Sequence, residues 1–367
     1  MFANIAKYSA LAATAVVLLT GCTPPPPPEV LAAWAEQSPT CIEGDASVFL
    51  PHQVVDVADS LASAVNGTCD GSDPKTLAAM SATLTDSIND ASIVVSTDGN
   101  FGSQKSFDSV PWAVDGAVLV ANLPANSGLN LTPAIAQGIL DGTITDWSDK
   151  AIAKANPDEV FDAAPISVEP NSTKDVIDAF TGWVSSLGAK NFTATKLTAV
   201  DSISLDILNN LPEGGVALVP LSLKTEFDVN AETPFISASM LIADPADAKA
   251  QIAVAADSVG VASAATQMTV TKNASGLEAA IDHSLTPVPP AGADTPDPAY
   301  GAIYAVNMKL VGTDSLVTRA VARFLLRQDE EGTIGGSYLL PLAESTRIEA
   351  LASVSKGLPE PVIATSN

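Results

Sequence analysis

The chain has 367 residues, enough for two lobes and a substantial core, and 47% hydrophobic against 16% charged residues mark it as globular and not disordered. A formal net charge of −25 argues against nucleic acid or anionic lipid headgroups as partners. It leaves room for a small anion, because helix N-termini and backbone amides can hold one inside an acidic protein.

In chain order, Met1 to Cys22 reads as a targeting segment. Lys7 supplies a small positive region, and Leu11 to Leu19 supplies an apolar core too short to span a bilayer as a folded helix. The segment ends in Leu19-Thr20-Gly21-Cys22, which resembles a bacterial lipoprotein cleavage box. The implied chemistry is a diacylglycerol thioether on Cys22 with loss of residues 1–21; the alternative is an ordinary secretory peptide with an incidental cysteine. Pro24 to Pro28 then favour an extended polyproline II spacer, roughly 15 Å of stiff standoff at about 3.1 Å per residue. Cys41 and Cys69 are the remaining cysteines, and an even count in an oxidising, extracytoplasmic setting favours a disulfide between them. No metal is expected: there is no Cys-x-x-Cys pair, and the two histidines are His52 and His283.

Beyond the stalk, Ala46 to Leu50 reads as a strand and Val54 to Val65 as a helix, with apolar residues at Val54, Val57, Ala58, Leu61 and Val65. Gly67 to Pro74 reads as a loop and Leu77 to Ile88 as a second amphipathic helix. Ile93 to Val95 is a buried strand leading into Ser96-Thr97-Asp98-Gly99. The apolar run Ala117 to Ala121 is a strand crossing between lobes.

The stretch Leu129 to Pro157 carries the densest signals. Thr132-Pro133 reads as N-cap then first helical residue; Ile135, Ile139 and Leu140 share one face; Asp141-Gly142 stops the helix. Asp149 caps a second segment, Ala151 to Ala155, before Asn156-Pro157. Further on, Pro165 to Val168 and Gly214 to Leu221 read as strands, and Ser172 to Leu187 as a helix closed by Gly188. Pro287 to Pro298 reads as a proline-rich linker, Ala302 to Val306 as a strand and Leu316 to Leu326 as a helix. Thr346 and Glu349 have capping-box spacing for a last helix closed by Gly357. Arg319, Arg323 and Arg327 recur every four residues and read as a solvated stripe.

Strands alternating with helices imply α/β architecture. Leu129, Leu131, Gly142, Ile144, Trp147, Asn156 and Pro157 closely resemble the second-domain signature of phosphate-binding proteins from ABC importers, and Tyr338, Pro341 and Leu342 resemble that family's closing pattern. The resemblance implies a two-lobe, type II periplasmic-binding-protein-like fold with a ligand cleft between lobes. Its lobes would be 41–115 with 291–367, and 116–290, following a stalk of 22–40.

The resemblance also implies site residues. The family places a Ser-Gly-Thr phosphate loop where this chain has Asn171, Ser172, Thr173 and Lys174, opening a helix. Free N–H groups there suit an anion; plain N-capping by Ser172, with Asp175 three residues on, stands equally open. Thr97-Asp98 resembles the family's Ser-Asp pair, whose carboxylate accepts a hydrogen bond from a protonated phosphate oxygen; an Asp-Gly turn is the alternative. Val48-Phe49 sits where the family has Thr-Phe. The family also expects an arginine and an aspartate just before Ser172, where this chain has Ser167-Val168-Glu169-Pro170-Asn171. Losing the arginine would weaken binding by roughly tenfold to a hundredfold, since each charge-assisted hydrogen bond is worth about 1.5–3 kcal/mol.

The expected function is a monomeric, lipid-anchored, extracytoplasmic solute-binding protein that closes on phosphate or a similar oxyanion and delivers it to an ABC permease, with no cofactor, no nucleic-acid partner and no catalysis. The alternative is a divergent paralogue that has lost tight phosphate binding and serves as an envelope interaction or sensing lipoprotein, or binds another small ligand. A hydrolase is disfavoured by the lack of a Gly-x-Ser-x-Gly elbow, a His-Glu-x-x-His run and a P-loop.

Overall fold

The structure, a computed structural model, describes residues 40–51, 54–69, 78–97, 99–244, 250–289, 294–295, 297–327 and 338–360. The targeting segment, Cys22, the proline stalk, His52 and Asp98 lie outside the described residues.

The chain runs through β1 (Gly44–Phe49), α1 (Val55–Thr68), β2 (Met80–Leu84), β3 (Ile93–Ser96), β4 (Ser106–Ala121), β5 (Asn130–Leu131), α2 (Pro133–Asp141) and α3 (Lys150–Ala155). It continues through β6 (Ser167–Val168), β7 (Asn171–Thr173), α4 (Lys174–Ser186), β8 (Thr198–Val200), α5 (Asp206–Asn209), β9 (Gly215–Pro220) and α6 (Leu221–Asn230). Then come β10 (Ile236–Ser237), β11 (Ser239–Ala243), β12 (Gln251–Val254), α7 (Ser258–Ala265), β13 (Met268–Asn273), β14 (Gly276–Ile281), β15 (Ile303–Val311), α8 (Leu316–Leu325) and α9 (Glu344–Val354).

Strand β4 joins two sheets. Its first part pairs antiparallel with β15, from Ser106 opposite Val311 to Gly116 opposite Ile303. Its last five residues pair antiparallel with β9, Ala117 opposite Pro220 through Ala121 opposite Val216. The sheet order is β2-β1-β3-β15-β4 on one side and β4-β9-β6 on the other, with β10 also on β4. All residues of β4 from Asp108 onward are buried, which explains its nearly continuous apolar run.

Just before the handover, β4 carries Asp115, which is 2% exposed. It accepts from the Ser222 amide (3.1 Å) and hydroxyl (2.5 Å), from the Tyr304 hydroxyl (3.2 Å) and from the Gly116 amide (2.8 Å). Ser222 comes from α6 and Tyr304 from β15, so this carboxylate ties the two halves together. Burial pushes its pKa up from 3.8 to about 6, against the lowering effect of the same hydrogen bonds.

The caps of the 129–157 stretch take the expected form. Thr132 Oγ1 accepts from the Ile135 amide, Gly142 ends α2 at φ +75°, and Asp149 accepts from the Ala151 amide. Asn156, buried, exchanges hydrogen bonds with the backbone of Asn130 in both directions, joining the two ends of the stretch. Cys41 and Cys69 form a disulfide, fastening the C-terminal end of α1 beside β1.

Four expectations need correction. Residues 80–84 form a strand, not part of a helix: Met80 and Ala82 alternate inward and the segment pairs parallel with β1. Gly67 and Thr68 belong to α1 and not to a loop. The arginine stripe is not solvated, since Arg319 and Arg323 are buried. Arg319 binds Asp108 (3.0 Å) and Asp314 (2.7 Å), and Arg323 reaches the Thr40 hydroxyl (3.3 Å). The last helix starts at Glu344, so Thr346 lies inside it, buried, and does not cap it. Among the described residues no helix is long and apolar enough to cross a membrane.

Candidate functional site

Four strands that are distant in sequence end at one cavity. β1 contributes Phe49, β3 contributes Val95 and Ser96 with Thr97 just beyond, β7 contributes Thr173, and β9 contributes Pro220. With Pro51, Ile88, Asn100, Ser202 and Ile203 they enclose about 200 Å³. Carboxyl ends of strands are where α/β sheets present ligands, because loops and helix N-termini gather there. The first two strands belong to one side of β4 and the last to the other, so the cavity is walled from both.

Thr173 is one of the polar residues lining the cavity. It is the N-cap of α4, it is 2% exposed, and its Oγ1 is buried without a hydrogen-bond partner. A buried hydroxyl left unpaired costs about 1–3 kcal/mol, a cost that a bound acceptor would remove. The same helix start leaves first-turn N–H groups without intrahelical carbonyls, and its side-chain cap is missing. Thr173 lines the cavity, so a hydroxyl-bearing residue and a helix N-terminus meet at its wall, a combination that can hold an anion. The loop after β3 approaches the same turn: a Cβ added at Gly99 would lie 3.7 Å from Asp175 Oδ2.

Of the residues singled out from sequence, Phe49, Thr97 and Thr173 line the cavity. Val48 instead points into the core at 2% exposure, as its place one residue before Phe49 on a strand requires. Ser172 is fully buried and donates to the Leu218 carbonyl at 2.8 Å, joining β7 to β9; it neither caps the helix nor lines the cavity. The helix begins two residues later than expected, because Asn171–Thr173 pair parallel with β8. Asn171 is exposed, its amide and Nδ2 donating to Glu169 Oε1 at 3.2 and 3.1 Å. Lys174 is exposed and paired with Asp178, whose hydrogen bond and charge raise its pKa.

Sequence reasoning missed Ser96, Asn100, Ser202, Ile203, Pro220, Ile88 and Pro51. Pro220 had a signal, the end of a buried strand run. Ser202 and Ile203 had none, lying in a segment without periodicity. No side chain lining the cavity among the described residues is cationic. Arg319 and Arg347 are committed elsewhere, the latter to Glu344. Among the described residues, no three of His, Cys, Asp and Glu converge as metal ligands.

No protein-family model matches the chain, and no curated protein matches it by sequence. Solved structures do resemble it. The ancestral soluble variant of the human phosphate binding protein is 15% identical, with a TM-score of 0.52, over 86% of this chain and 96% of that one. A high-affinity periplasmic phosphate-binding protein, solved with phosphate bound, is 15% identical, with a TM-score of 0.50 over the same shares. At such identity the likeness shows the fold: mixed α/β, in two lobes.

Proposed function

We propose that this chain is a solute-binding protein that closes its two lobes on phosphate or a similar oxyanion and passes it to an ABC permease. The observation that carries the reading is Thr173, a buried and unpartnered hydroxyl at a helix N-terminus that lines a cavity walled from both sheets. The structural relatives whose names include phosphate binding support it. In this reading Thr173 Oγ1 and the first-turn amides of α4 grip the anion, and Ser96 at the end of β3 and Thr97 just beyond line the same cavity; Asp98 joins them on the sequence resemblance alone. The lobes are 41–115 with 291–367, and 116–290. No bond is made or broken; binding energy drives closure because the closed state adds contacts from the second wall.

The lipid anchor on Cys22 belongs to the same proposal, and the Cys41–Cys69 disulfide suits an oxidising compartment. Mass spectrometry of the membrane-extracted chain should give an N-terminus at Cys22 bearing a diacylglyceryl group. Cys22→Ala should move the protein to the soluble fraction; an unmodified, processed chain in that fraction from the start would contradict the anchor.

Calorimetric titration tests the binding claim. Inorganic phosphate should bind with measurable heat, and Thr173→Val should lose about tenfold in affinity, the worth of one hydrogen bond to a charged acceptor. A second reading is favoured by one observation, that no guanidinium lines the cavity among the described residues. In that reading phosphate binding is lost and the chain serves an envelope interaction or sensing role. No heat with any oxyanion at millimolar concentration would select it.

A further inference from the structure

Half of the cavity lining is hydrocarbon, a poor match for a ligand that is oxygen on every side. Phe49, Ile88 and Ile203 are half-buried in its wall, beside buried Pro51, Val95 and Pro220. Phe49 and Ile88 belong to one small apolar cluster, packed with Phe101 against Ala91, Val94 and Val311. An oxyanion oxygen turned toward that cluster would leave water and gain no donor. The volume, about 200 Å³, is many times the roughly 10–15 Å³ that one water needs and below the roughly 300–1,000 Å³ usual for drug-sized ligands. The space therefore suits an acid group and a short arm. The lack of a cation among the described lining residues points the same way, since apolar burial can offset weaker charge attraction.

We propose that the ligand of this site is a monosubstituted phosphorus oxyanion with a short hydrocarbon arm, its acid group at Thr173 and its arm against Phe49 and Ile88. This rests on the oxyanion reading above and narrows it from a bare anion to an organic one.

The test is parallel calorimetric titration of the full chain with inorganic phosphate and with ethylphosphonate. Ethylphosphonate should bind about tenfold tighter, near what two buried apolar carbons supply. Ile88→Ser should erase that difference, lowering ethylphosphonate affinity about tenfold more than phosphate affinity. Phosphate binding as tightly as or more tightly than ethylphosphonate would overturn the inference and leave the oxyanion reading standing. Failure of both ligands to bind would overturn both. If Ile88→Ser does not fold, Phe49→Leu serves the same comparison by shortening the wall, and an unchanged ethylphosphonate preference there would also overturn the inference.

Discussion

The helix–turn–tryptophan stretch of residues 129–157 and the cavity around Thr173 differ in one physical respect. In the first, polar groups find partners close by: Thr132 and Asp149 cap their helices, Asn156 satisfies Asn130, and the Trp147 indole donates to the Gly214 carbonyl at 3.0 Å. In the second, Thr173 Oγ1 is left with nothing, and its helix has no side-chain cap. Saturated hydrogen bonding makes scaffold; withheld hydrogen bonding makes a site that something else must complete. Substitutions in the first region should therefore act on stability alone, and those in the second on affinity.

The largest effect is expected at Trp147, fully buried and stacked on Phe161 with ring centroids 5.9 Å apart. Trp147→Ala should cost about 3–5 kcal/mol in denaturant unfolding, and ligand affinity of the remaining folded fraction should not change. Asp115 comes next, on β4, the strand that joins the two sheets. Its pKa is about 6 folded against 3.8 unperturbed, so the folded chain holds a proton that the unfolded chain releases in that window. The stability this gives is present below about pH 4 and lost as pH rises through about 6. Asp115→Asn should consequently be more stable than the parent by about 1–3 kcal/mol at pH 7.5, with the gap roughly halved by pH 5 and closing below about pH 4. A gap that stays constant across that range would mean the carboxylate is not the group titrating.

At Thr173 the two regions should separate most cleanly. Thr173→Val should lower anion affinity about tenfold while leaving folding stability unchanged or raised by about 1 kcal/mol, since an unpaired buried hydroxyl is being removed. A matching loss of stability would place Thr173 with the scaffold. The smallest effect is at Thr132: Thr132→Ala should cost about 1 kcal/mol of stability and nothing in binding.

The same contrast explains what could be read from sequence. Thr132-Pro133, Gly142, Asp149 and Asn156 announce themselves because capping is local, decided within a turn of chain. The strand at 80–84 went unread because an alternation of two buried positions, Met80 and Ala82, is too short to compete with a helical reading. Helix α6 hid for another reason: Lys224 and Glu226 are buried within it, so its polar and apolar faces do not separate. In α8 the opposite error arose, since Arg319 is at a periodic polar position yet is buried against Asp108 on a distant strand. The cavity was legible only where a strand end coincided with a motif, at Phe49, Thr97 and Thr173. Ser202 and Ile203 reach it through the path of the chain after β8, which no local spacing encodes.

The central claim is that an oxyanion completes Thr173. A crystal structure of the full chain grown with arsenate, a phosphate-shaped anion whose anomalous signal marks its position, tests it most directly. The arsenic peak should lie in the cavity, with an anion oxygen about 2.6–3.2 Å from Thr173 Oγ1 and the first-turn amides of α4 directed at it. A peak elsewhere, or an empty cavity at saturating arsenate, would contradict it.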